Sequence, residues 1–385
     1  MKKSVLVKGI EIQRRIAHRR WWLRHLETRR KLARRGKGSI STLKRKAGPE
    51  KNRKNNAWFD YEAPVVMDFD ANKENTLAYF DGLHSSMRER GSRIRLLFQQ
   101  LRSISSEALI YLLGQIHLLQ EKHGKQNLTG CYPKSRKIEH LLNESGFFGL
   151  LNIKKRKVAG KKTGSTRFIT YKTGNKLQCE DIPKIRNELF GDDFEMPSHV
   201  KKEVYRALSE AMANVGEHAY ANKAVSAKSL HGRWWIGASM SLRKNIFSLT
   251  FYDAGVGIPK TLPRRYNMEL IRQALSVLPL IDPDDGAMIH AAVELGRTRT
   301  GKENRGKGLL DLHRLIDKIN DGKLTIISRQ GWYKYRPLRH QSGPMTGFLE
   351  GTLISWELPL TKSVNQLIDI EISDLELEDE NNISV

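Results

Sequence analysis

The sequence predicts an α/β protein with two folded parts behind a basic arm, and three observations carry that expectation. From residue 64 to 153, short apolar runs alternate with stretches of helical periodicity, the βαβαβα order that builds a small α/β domain. From 166 to 362, apolar strands run into glycine-interrupted turns with amphipathic helices between them. The length of 385 residues accommodates both parts, since a domain takes ~150 residues. Apolar residues make up 39% and charged residues 28%, a balance that excludes a wholly disordered chain.

Residues 1–57 come first and differ from the rest. Residues 1–56 hold 20 Lys/Arg against Glu11, Glu27 and Glu50, so this arm carries +17 of the net +25. Ile10, Ile16, Trp22, Leu23 and Leu26 recur at roughly helical spacing beneath the cationic surface, which suits an arm that orders on an anionic partner. The opposite end, 363–385, is an acidic tail with seven acids between Asp369 and Glu380. The opening residues lack the long apolar core of a secretory signal, so a cytoplasmic location is expected. The longest apolar stretch, Ala108 to Leu119, contains Gln115 and His117 and is too short to span a bilayer. Cys131 and Cys179 stand apart without a CxxC pair and read as structural thiols, which excludes a zinc ribbon.

In the block 58–153, VVMDF at 65–69 and IRLLF at 94–98 read as buried strands, followed by helices near 73–89 and 106–121. A third strand is expected near Leu128 to Cys131 and a helix through Ile138, Leu141 and Leu142. The stretches LLFQQLRSISSEALIYLLGQI and LTGCYPKSRKIEHLLNESGFFGLL resemble the STAS-like domains of bacterial anti-sigma-factor antagonists. That resemblance implies a phosphorylatable serine at the start of the second helix, the place of Ser105 and Ser106. The residues alone offer another role, a helix cap supported by Glu107 in the first turn. Residues 154–165, KKRKVAGKKTGS, read as a basic linker.

Four segments of 166–362 carry chemistry. In SHVKKEVYRALSEAMANVGEHAYANKA, Glu210, Asn214 and Glu217/His218 share one helical face while Val204, Leu208 and Met212 face a core. In LTFYDAGVGIP, a strand delivers Asp253 to a turn where Gly255 and Gly257 permit close backbone approach. A short buried acid there can accept a hydrogen bond from an exocyclic amine such as that of adenine. In ENRGKGLLDLHRLID, Gly306 and Gly308 precede an amphipathic helix whose N-terminus is suited to phosphate, with Arg305 and Lys307 adding charge. In GTLISWELPL, Thr352 follows Gly351 on an alternating strand.

Together and in this order the four segments resemble the motif blocks of the GHKL superfamily, which comprises gyrase, the ninety-kilodalton heat-shock chaperone, histidine kinases and MutL. The resemblance spans about Phe168 to Leu360 and implies an α/β sandwich in which helices cover a mixed sheet. It implies that Asn214 coordinates Mg²⁺ on the ATP phosphates, that Asp253 binds the adenine amino group, and that Gly255 and Gly257 form a first glycine box. Gly306, Lys307 and Gly308 correspond to the second box, with Thr352 near the adenine. Glu210 aligns with the acid that positions the attacking group. Residues 260–305 correspond to an ATP lid, whose Arg297, Arg299 and Lys302 lie within reach of phosphates or serve as surface charge. The ExxxNxxxHA form of the helix is closest to the anti-sigma-factor serine kinases, and His218 belongs to that pattern.

The expectation is therefore a cytoplasmic, Mg²⁺-dependent ATP-binding protein, a regulatory ATPase or a serine kinase of anti-sigma type, with a regulatory protein partner. Two alternatives stand beside it. One is an ATP-driven switch of a defence or mobile-element system that binds DNA or RNA through residues 1–56, where cations neutralise phosphates and Trp21/Trp22 stack on bases. The other is an ATP sensor without hydrolysis. A homodimer is compatible with each, and no membrane partner is expected.

Overall fold

The computed structural model describes residues 58–90, 93–154, 156, 166–174, 202, 204, 206–209, 211, 233–241, 244–276, 282–298 and 310–359. The chain divides into two compact units, Met1–Lys54 and Asn55–Val385, and every described residue belongs to the second. That unit is a mixed α/β structure with both parallel and antiparallel sheets.

Its first part alternates as the periodicity predicts, with one correction. The parallel sheet has the order β1-β3-β5, built from β1 (Trp58–Glu62), β3 (Arg93–Leu97) and β5 (Leu128–Gly130). The opening strand is WFDYE; VVMDF contributes only β2 (Val66–Met67), which pairs with β4 (Ser103–Ile104) in a separate two-stranded ribbon. The cause is local: the Asp68 carboxylate accepts the backbone N–H groups of Asp70 and Ala71, folding the chain into a turn that ends the strand. Helices α1 (Lys73–Arg90) and α2 (Ser106–His123) make the crossovers, and α3 (Arg136–Glu144) and α4 (Phe147–Leu150) follow β5. The Ser105 hydroxyl caps α2 by accepting the Ala108 N–H at 3.3 Å, as its sequence position suggests.

The larger sheet has the order β6-β7-β8-β10-β9, from β6 (Thr166–Gly174), β7 (Trp234–Ser241), β8 (Ile246–Asp253), β9 (Lys323–Arg336) and β10 (Arg339–Pro359). Its described pairings are all antiparallel; parallel pairing is confined to the two small sheets. Helices α5 (Ile258–Arg265), α6 (Met268–Ala274) and α7 (Asp285–Thr298) lie between β8 and β9, followed by α8 (Leu310–Ile319).

Both faces of this sheet are covered, so β7 is buried continuously from Trp234 to Ser239. On one face Trp234, Ile236, Phe251 and Trp356 pack with Val204 and Leu208 of the helical stretch before Glu210, and with Ile289 and Val293 of α7 and Leu312 of α8. On the other, Trp235, Tyr252, Ile327 and Leu353 enter the core of the first α/β block. Helix α2 lies against this second face, and this explains why every residue from Ala108 to Ile116 is buried. The approach is close: a Cβ on Gly114 would come within 2.6 Å of the Tyr252 ring. The Tyr252 hydroxyl accepts a hydrogen bond from the Gln115 amide at 2.7 Å and donates to the Glu350 carbonyl at 2.9 Å, satisfying the buried phenol.

Candidate functional site

Asp253 is the last residue of β8, in register with Trp234 of β7 and Thr352 of β10, and is 5% exposed. Strand alternation puts its side chain on the same face as Phe251, away from α2. One carboxylate oxygen accepts the Gly255 N–H at 2.8 Å, and the Thr352 hydroxyl donates to the same carboxylate. Burial nevertheless dominates and pushes the Asp253 pKa up to about 7, while those two hydrogen bonds pull it down. The group therefore titrates near neutrality, able to accept a hydrogen bond as carboxylate and also to donate one as acid.

Two glycines are forced by this geometry. Gly351 has φ +90°, and a Cβ there would lie 1.9 Å from the Asp253 carbonyl oxygen. Gly257 has φ +87°, and a Cβ would come within 2.7 Å of the Ser328 Oγ. No L side chain fits either place. Ser328 is a residue that sequence reasoning missed. Its hydroxyl donates to the Gly351 carbonyl at 2.8 Å, accepts the Ile258 N–H at 3.1 Å and lies 3.3 Å from the Thr352 hydroxyl. It thereby ties β9, β10 and the start of α5 around Asp253. A polar side chain ending the apolar run LTII was the only signal available.

The fold thus brings Thr352 of β10 to Asp253, Gly255 and Gly257, which lie together at the end of β8 and the turn after it. Glu210, Asn214, His218, Gly306, Lys307 and Gly308 lie outside the described residues, as do Arg299, Lys302 and Cys179. Val204 and Leu208, the apolar positions that precede Glu210, are in the core as their spacing predicts. Among the described residues no group of three or more His, Cys, Asp or Glu is placed to hold a metal ion. Cys131 is a free, half-buried thiol. Ser106, the second of the two serines at the head of α2, exchanges a hydrogen bond with Ser239 of β7. Of the segment 260–305, helices α5, α6 and α7 build a small core of their own around Leu262, Ile271 and Leu295.

Compared with known proteins, this chain matches no protein-family model and no curated sequence.

Proposed function

We propose that the chain is a Mg²⁺-dependent ATP-binding protein of the GHKL superfamily, a regulatory ATPase or serine kinase of anti-sigma type with a STAS-like block fused in front. The observation that carries this reading is Asp253: a buried carboxyl at a strand end, held by Gly255 and Thr352 between backbone positions that exclude any Cβ. Such a group can read the exocyclic amine of a purine, because a carboxylate has acceptor positions beyond the two that Gly255 and Thr352 fill, and in a dry site these discriminate strongly for a donor. The glycines let the turn and β10 close tightly around this carboxyl, fixing where it stands.

In this reading Asn214 holds Mg²⁺, and the Gly306–Gly308 segment at the head of α8 offers backbone N–H groups to the phosphates. Bound Mg²⁺ would neutralise charge on the phosphates. Glu210, one helical turn before Asn214, orients the attacking hydroxyl or water by accepting its proton. The +17 arm favours a second reading, an ATP-driven switch that docks nucleic acid.

The test follows ATP labelled on its γ-phosphate, with and without added nucleic acid. The kinase reading expects label on protein, and the switch expects free phosphate stimulated by nucleic acid; binding with neither result would leave an ATP sensor. Asp253→Ala is expected to weaken ATP binding by about 100-fold, the cost of one lost buried acceptor. Glu210→Ala should leave binding intact and remove turnover. Unchanged ATP affinity in Asp253→Ala would overturn the site.

A further inference from the structure

Thr352, the residue that reaches Asp253 from β10, directly follows an irregularity in its own strand. Arg329 and Ser328 are adjacent on β9, yet their partners on β10 are Leu349 and Thr352, so Glu350 and Gly351 form a bulge with no opposite residue there. Pairing with β8 begins only at Thr352, opposite Asp253, so that strand offers them none either. Bulges re-aim the side chains beside them, and here the side chain is Thr352.

Peptide groups in a bulge lose their ladder partners and must find others. Ser328 donates to the Gly351 carbonyl. Both groups of Glu350 are taken by tyrosines: its N–H donates to the Tyr111 hydroxyl of α2 at 3.2 Å, and its carbonyl accepts from the Tyr252 hydroxyl at 2.9 Å. The two rings meet edge to face with centroids 4.9 Å apart. Tyr252 is fixed in turn by the Gln115 amide of α2 at 2.7 Å, and the Gln115 carbonyl oxygen meets His84 Nε2 of α1, which calls for the proton on that nitrogen. Just upstream, β10 is fastened to α1: the Asp81 carboxylate accepts the Phe348 N–H, and a Cβ on Gly347 would come within 2.6 Å of the Leu77 side chain. Side chains packed between the first block and the sheet therefore do for Glu350 what a neighbouring strand does elsewhere in β10.

We infer that the first block is a positioning element of the Asp253 site: α1 and α2 hold the bulge at Glu350 and Gly351, and the bulge holds the Thr352 hydroxyl on the carboxyl. This role rests on the reading of Asp253 as the binding group, and it makes the block in front a regulator of that group. A partner that draws α2 away from the sheet weakens binding at Asp253, and a ligand there opposes the partner by the same factor.

The test reads the Asp253 carboxyl itself, in the full chain and without nucleotide. Burial and the bonds from Gly255 and Thr352 govern its titration, with no charged side chain of the described residues among the causes. Each variant is unfolded in urea across pH with and without Asp253→Asn, and the pH at which the stability gap levels off reports the folded carboxyl. Thr352→Val is expected to move that pH upward by about one unit, since a hydrogen bond to the ionised form is lost, and Thr352→Ser to restore it. Tyr111→Phe, which strands the Glu350 N–H, should move it the same way by about half a unit. Asp81→Ala loosens the bulge from the exposed side and should do likewise, which answers the question even if Tyr111→Phe fails to fold. Leu142→Ala, an equally buried change in α3 that touches no bond of the bulge, should lower stability and leave the levelling pH where it is. ATP binding should weaken several-fold in Tyr111→Phe and Asp81→Ala. Shifted titrations in a protein that binds no ATP would sustain the positioning role and overturn the nucleotide reading. A levelling pH unchanged in both Tyr111→Phe and Asp81→Ala would overturn the positioning role, as would a shift of equal size in Leu142→Ala.

Discussion

Asp253→Asn isolates the energetics of the buried carboxyl. The side chain keeps its shape; its Oδ1 still accepts the Gly255 N–H, and its amide can donate to Thr352, whose hydroxyl is free to turn toward Ser328. In the wild type the pKa rises from 3.8 to about 7, with burial as the main cause. The folded state thus favours the protonated acid. The stabilisation this provides is fully present below pH ~4 and is lost as pH rises through ~7. Across the whole range the displacement corresponds to about 4 kcal/mol, of which about 2 kcal/mol falls between pH ~5.5 and pH ~8.5. Asparagine does not titrate, so the variant should gain that amount over the wild type as pH is raised across this window. Urea unfolding, followed through the buried Trp235 and Trp356, measures the gap at each pH and cancels every other titrating group. A gap that stays flat or narrows would refute the argument that desolvation governs this acid.

Three further outcomes are expected. If the adenine amine pairs with ionised Asp253, ATP affinity should fall toward about tenfold per pH unit below pH ~7; a profile flat from pH ~5.5 to ~8 would exclude that pairing. Gly114→Ala should destabilise the protein by about 1–3 kcal/mol, because the Tyr252 ring it strikes is held by Gln115 and Glu350 and cannot move aside. Wild-type stability in that variant would show that α2 and the sheet can separate slightly without cost. Deleting residues 1–56 should leave ATP binding unchanged and reduce both the affinity for nucleic acid and its salt dependence; a truncated chain that binds nucleic acid as before would assign the arm another role.

Much of the first block was legible from period alone. Leu109, Leu112, Leu113 and Ile116 mark one face of α2, and Ser105 marks its start. Yet Ile110, Tyr111 and Gly114 are equally buried, and their burial follows from a second sheet lying on the other side. The strand β1 was missed because Asp60 and Glu62 weaken an apolar pattern that its pairing with β3 sustains. The outer part of β10, RHQSGPMTGFLE, has no strand pattern either. Its order comes from pairing with β9 and from contacts at two glycines: Gly343 packs against Gly286 of α7, and Gly347 against Leu77 of α1.

The sequence by itself determined where the glycines and the acid of the site fall, since Asp253, Gly255 and Gly257 are neighbours on one turn and their chemistry is local. It also determined the polarity of the chain, with cations at one end and acids at the other. Tertiary structure alone decided that Thr352, Gly351 and Ser328 meet that turn, because strand register is set by pairing across the sheet and not by adjacent residues. It alone decided the pKa of Asp253 as well, for a carboxyl's charge is opposed only once the surrounding sheet and helices have excluded water from it.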